Sequence, residues 1–165
     1  MTVSAFSSHD SNVLSLDLFR LRAGLGVEEL STGAGNTLPD WEAAAAKRLE
    51  ALIRLDHGWD GHAAPPVSFH NAHFAFQMLQ SICGDDAPAP AIVPGFDGDL
   101  QVEWQYGGVQ IELHVLAANE VIAWRGSYDA EDEGEEVELE NDFTTVERWV
   151  SELTSLFEAD GRATA

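Results

Sequence analysis

Two runs of strict alternation, residues 100–106 and 109–115, constrain this chain more than any other feature. Leu100, Val102 and Trp104 alternate with Gln101, Glu103 and Gln105. After Gly107-Gly108, Val109, Ile111, Leu113 and Val115 alternate with Gln110, Glu112 and His114. A period of two sends successive side chains to opposite faces of a strand, and a Gly-Gly pair tolerates the positive φ of a tight hairpin turn. The two runs therefore predict an antiparallel hairpin with one apolar and one polar face. Such a sheet is covered by helices on one side and left open on the other.

The flanking segments extend this plan. The stretch "AIVP", starting at Ala91, reads as a short strand before the turn "GFDG". Past the turn "ANE", a third run at about 121–128 holds Ile122, Trp124 and Tyr128. A fourth, at about 135–140, turns Val137 and Leu139 inward. Steps of three and four mark three helices. The first spans about 40–56, with Asp40 as N-cap after Pro39, Gly58 ending it, and Trp41, Ala45, Leu49, Leu52 and Ile53 on one side. The second spans about 68–83, with Ser68 as cap and Phe69, Ala72, Phe76, Leu79 and Cys83 facing the core. The third spans about 143–158, with Phe143, Val146, Val150, Leu153 and Phe157 as its stripe and Thr144 with Glu147 as a capping box. The expected fold is α+β, an antiparallel meander of four to five strands with helices on one face. Its order is α-α-β-β-β-β-α, with "AIVP" as the additional strand.

At 165 residues, 45% of them hydrophobic, the chain suffices for one folded domain, expected over 38–160. Residues 1–37 read as a poorly anchored arm, within which "VLSLDLFRLRAGLG" suits a strand or a short helix, and 161–165 read as a tail. The N-terminus has neither a basic stretch nor a small-residue cleavage site, so no secretory signal is expected, and no apolar run reaches the ~20 residues that span a bilayer. The one cysteine, Cys83, permits no internal disulfide and fits a reducing, cytoplasmic setting; on an apolar face it reads as a buried thiol rather than a nucleophile.

Residues 55–66, "LDHGWDGHAAPP", join the first two helices. Gly58 and Gly61 permit positive φ, Asp60 can bond back to nearby amides, and Pro65-Pro66 blocks helix continuation. Trp59 then serves as a plug under this corner, between the two helices, and Trp104 plays a similar role beneath the sheet. The competing reading is a metal site, or a metal-assisted hydrolase, built from His57, Asp60, His62, His70 and His73. His70 and His73 share a helix face, but no HExxH, CxxC or paired carboxylate accompanies them, so the corner reading is preferred and no cofactor is expected. The GWDG-x-x-A-x-P pattern at Gly58, Trp59, Asp60, Gly61, Ala64 and Pro66, followed by Pro90, Pro94, Gly98, Glu103 and Trp104, resembles a family of small bacterial proteins without an assigned activity. The resemblance covers roughly residues 40–126. It implies a shared fold and the setting of accessory proteins of bacteria and their mobile elements, where toxin, antitoxin and defence partners are common.

Charge is distributed unevenly. Of 29 acids and eight bases, residues 1–54 hold seven and five, a net of −2, which leaves 22 acids and three bases, a net of −19, for residues 55–165. Such a field repels nucleic acid and anionic membrane and attracts basic partners. The segment "DAEDEGEEVELEND", residues 129–142, has nine acids in fourteen positions. Glu136, Glu138 and Glu140 alternate outward there, about 6.7 Å apart. A few charges on an edge strand suffice to prevent aggregation, and a solvated face is the ordinary meaning of a charge run. The surplus favours a binding surface made of Glu103, Glu112, Glu135, Glu136, Glu138 and Glu140. The expected function is a non-enzymatic, antitoxin-, immunity- or inhibitor-like module that engages a basic protein, itself a nucleic-acid binder in one version. A homo-oligomer subunit joined through the sheet edge is the third reading.

Overall fold

In the computed structural model, residues 39–127 and 134–163 are described. The Gly107-Gly108 pair takes φ of 56° and 82°, the two positive values of a type I′ turn, whose twist matches the strands it joins. It closes a hairpin of β2 (Leu100–Tyr106) and β3 (Val109–Ala117). Around it lie β1 (Ala91–Pro94), β4 (Glu120–Ser127) and β5 (Glu135–Leu139), giving one antiparallel sheet ordered β1-β2-β3-β4-β5. The helices are α1 (Asp40–Ile53), α2 (Phe69–Ile82) and α3 (Thr144–Ala163). The fold is α+β, an α-α-β-β-β-β-β-α chain in which "AIVP" is a full member of the meander.

Every strand sends alternate residues into one core. Ile92, Val102, Leu113 and Ala123 line up across the sheet, beside a second row of Leu100, Val115, Val121 and Leu139. Over this face α2 lies between α1 and α3, with α1 beside β1 and α3 above β2 and β3. The long connection after α2 is tied down by two indoles. Trp41 Nε1 donates to the Gly84 carbonyl and Trp104 Nε1 to that of Pro88, both at 2.9 Å. Arg48 of α1 donates to the Ile92 carbonyl at 2.8 Å, occupying an acceptor on β1.

Several local expectations change. The first helix stops at Ile53, and its cap is Pro39, whose carbonyl accepts from the Glu42 and Ala43 amides; Asp40 is already helical. Asp142, not a Thr144–Glu147 box, caps α3, accepting from both the amide and the hydroxyl of Thr144. Ser68 does cap α2, accepting from the Asn71 amide. In β4 the buried residues are Val121 and Ala123, whereas Ile122 and Trp124 occupy the open face. A register irregularity between Val115 and Ala117 explains the inversion, since a slip of one residue exchanges the two faces of a strand. Tyr128, the arm at 1–37 and the acids at 129–133 lie outside the described residues. The last helix runs on through Ala163, past the expected start of the tail. Trp149 is fully buried in its stripe, while Phe157 is 44% exposed.

Candidate functional site

The open side of the sheet is where polar residues face outward. Its middle row is Glu103 on β2, Glu112 on β3, Trp124 on β4 and Glu136 on β5, each directly opposite the next. A parallel row runs Gln101, His114, Ile122 and Glu138. Side chains directly opposite on adjacent strands have Cβ atoms about 4.5–5.5 Å apart, so Glu103 and Glu112 form a like-charge neighbour pair. Gln110 Nε2 donates to Glu112 Oε1, which orients that carboxylate without neutralising it. The described strands contain a single cation, Arg125, and alternation puts it on the helix side, where it pairs with Glu152 at 2.6 Å. Glu135 stands opposite Arg125 and shares that side, so it does not belong to the binding surface expected from the sequence. Glu140 lies one residue beyond β5 and is exposed.

Trp124 gives this acidic surface an apolar centre. Its indole lies over the backbone of two glycines: a Cβ at Gly126 would collide with Cζ2 and Cη2, and one at Gly134 would come within 2.7 Å of Nε1. Glycine at both positions lets a large ring lie flat on the sheet. At the edge of the same face His114 Nε2 meets Asp99 Oδ2 from the β1–β2 turn. Partial burial alone would raise the Asp99 pKa, but the His114 contact and the amides of Asp97 and Asp99 outweigh it, so the carboxyl titrates below its usual range. Neither Trp124 as a face residue nor the His114–Asp99 pair was visible in sequence, because both depend on register.

The GWDG corner is built as a corner. Gly58 and Gly61 take φ of 81° and 83°, the Gly58 amide donates to the Ala64 carbonyl, and Asp60 Oδ1 accepts from the amides of His62 and Ala64. These amides, that of His62 foremost, hold the Asp60 carboxyl below its ordinary pKa. Trp59 donates Nε1 to the Pro65 carbonyl and stacks on Phe96 at 6.1 Å, so it seats the corner on the β1–β2 turn instead of wedging between helices. Below it, Asn71 Nδ2 donates to the carbonyls of Gly98 and Leu116, joining α2, the turn and the end of β3.

His62 lies 3.8 Å from Asp60, His57 and His70 are exposed, and His73 rests against Phe69. Among the described residues no three His, Cys, Asp or Glu side chains are grouped to hold a metal ion. Burial pushes the Cys83 thiol up to about 12, which removes its thiolate at neutral pH.

Asp60 and Asp99 have a consequence for acid stability. Their folded pKa values lie below the unfolded value of about 3.9, so their contribution is complete above that pH and is lost as pH falls through the folded values. The share of the stability that these two carboxylates supply is expected to decline below about pH 4. In the double variant Asp60→Asn, Asp99→Asn the decline should be shallower. Urea unfolding at a series of acidic pH values checks this, and an unchanged slope contradicts it.

No protein-family model, curated protein or solved structure matches this chain. Among the described residues no helix is long and apolar enough to cross a membrane.

Proposed function

We propose that this chain is a non-enzymatic binding module that engages a basic protein through the open face of its sheet. The observation that carries the reading is the opposed pair Glu103 and Glu112, continued by Glu136 in the same row with no Lys or Arg among the described strand residues facing that side. Like charges directly opposite destabilise a sheet, and holding an edge against aggregation needs charges on β5, not on the central strands β2 and β3. The fold gains nothing from that pair, whereas a cationic partner would relieve the repulsion. Trp124 adds the kind of aromatic anchor that dominates interface energies, ringed by charges that steer approach. The resemblance to accessory proteins of bacteria and mobile elements favours an antitoxin, immunity or inhibitor role, and a row of carboxylates suits a surface that otherwise holds phosphates.

The oligomer reading has less support. Joining two β5 edges would bring Glu136 and Glu138 of one copy against those of the other, and Arg48 already occupies a β1 carbonyl.

Affinity capture from the producing cell at low salt, followed by a rising salt gradient, is expected to release one basic protein. Its affinity for the purified chain should fall about tenfold or more between ~0.05 and ~0.5 M salt, as the Debye length contracts below the spacing of the charges. Affinity indifferent to salt overturns the reading.

A further inference from the structure

The end of the helix layer holds a cleft of about 840 Å³, apart from the open face of the sheet. Its rim carries five carboxylates, from Asp40 at the start of α1, Asp85 and Asp86 in the connection after α2, and Glu158 and Asp160 on α3; among the described residues no Lys or Arg lines it. Its floor is aromatic. Tyr106 and Phe157 meet edge to face at 5.2 Å, and the Tyr106 hydroxyl donates to Asp160 Oδ2 at 2.8 Å, which fixes the ring. Trp41 holds the Asp85 side of the rim against α1 through Gly84. Arg162 pairs with Glu158 at 2.9 Å.

We propose that this cleft binds an arginine side chain presented beside a bulky apolar residue on a peptide segment of a partner. The inference does not rest on the open-face reading, because it concerns a different surface and different residues. A bare metal ion does not fit, since among the described residues no three carboxylates are grouped to ligate one. The volume lies within the range of sites that enclose organic groups, about 300–1,000 Å³. The exposed Phe157 ring calls for an apolar partner and the rim calls for a cation, so the occupant carries both. Arginine fits better than lysine: its flat guanidinium stacks on an aromatic face while its several donors reach separate carboxylates.

The test is a titration of the full chain, followed by NMR, with acetyl-Gly-Phe-Arg-Gly-amide. Saturable shifts at Tyr106, Phe157 and Asp86 are expected. Replacing arginine by citrulline, which keeps the shape and removes the charge, should weaken binding about tenfold or more, and replacing the peptide's phenylalanine by glycine about fivefold. Phe157→Ala, and separately Asp85→Asn with Asp86→Asn at two exposed positions, should each weaken it about tenfold, while Glu103→Gln with Glu112→Gln leaves it within about twofold. Binding that is equal for the citrulline peptide, or that follows the Glu103 and Glu112 variant instead, overturns the proposal. So does absence of saturation by about 5 mM peptide. Shifts at Tyr106 and Phe157 on Arg20→Glu with Arg22→Glu, without peptide, would give the cleft to the chain's own residues 18–22. A dimer mass abolished by Phe157→Ala would give it to a second copy, and either result equally overturns the proposal.

Discussion

Truncating Trp104 to alanine should lower the free energy of unfolding by about 3–5 kcal/mol, a large part of the ~5–15 kcal/mol that holds a domain of this size together. The ring lies in the core row with Ile111, beneath α3, and is almost inaccessible to solvent. Its removal opens a cavity where the strands and helices meet and leaves the Pro88 carbonyl without the indole donor. Trp104→Phe should cost less, about 1–2 kcal/mol, because most of the volume stays and only the hydrogen bond and part of the ring are lost. The comparison that gives the measurement its meaning is Trp59→Ala. Trp59 also donates to a proline carbonyl, but it is half-buried, and the Phe96 on which it stacks is itself 68% exposed. Its loss should cost about 1–2 kcal/mol, clearly less than that of Trp104. Urea unfolding monitored by circular dichroism measures all three. Equal losses at Trp59 and Trp104 would mean that the GWDG corner is as central to the fold as the sheet, and that its exposure misrepresents it.

The two tryptophans illustrate what sequence could resolve. Strict alternation around Gly107-Gly108 was readable because only one phase of β2 and β3 is apolar. In β4 both phases are apolar, Val121 with Ala123 and Ile122 with Trp124, and bulk favours the wrong pair. The choice is made by the irregularity after Val115, which no local pattern announces, and by the fit of the small Ala123 opposite Leu113 on the helix-covered side. Likewise the stripe of α3 was legible over Val146, Val150 and Leu153, but Trp149 fits the same broad face, and Phe157 meets only the last residue of β2, Tyr106, at the end of the core, where it stays 44% exposed. The caps of α1 and α3, unlike Ser68 on α2, were missed for a related reason: Asp40 and Thr144 are good cap types, yet Pro39 and Asp142 stand one and two positions before them. Of the open face, the outward Glu residues of β2, β3 and β5 follow from alternation alone. Their alignment into one row, the exclusion of Glu135, and the company of Trp124 and His114 are facts of register.

Replacing Glu103, Glu112, Glu136 and Glu138 together by glutamine should move stability and binding in opposite directions. The chain should unfold at higher urea concentration, with a gain of about 0.5–2 kcal/mol, because the direct opposition of Glu103 and Glu112 is removed and each neighbouring repulsion contributes a fraction of a kcal/mol. Glutamine keeps the shape of glutamate and one acceptor oxygen, so the contact from Gln110 can be retained. Affinity for the basic partner should fall about 30- to 300-fold at ~0.1 M salt, mostly through slower association, and its dependence on salt should flatten. Trp124→Ala in the same assay should lower affinity by raising the dissociation rate, since an apolar anchor acts after encounter while charges act before it. The pattern of signs separates the readings. A solvated face kept only for solubility predicts the gain in stability with no loss of binding. Carboxylates that serve the fold predict a loss in unfolding free energy, which would contradict the geometry of an unneutralised pair. Only a surface held against its own repulsion for the sake of a cationic partner predicts a more stable chain that binds less well.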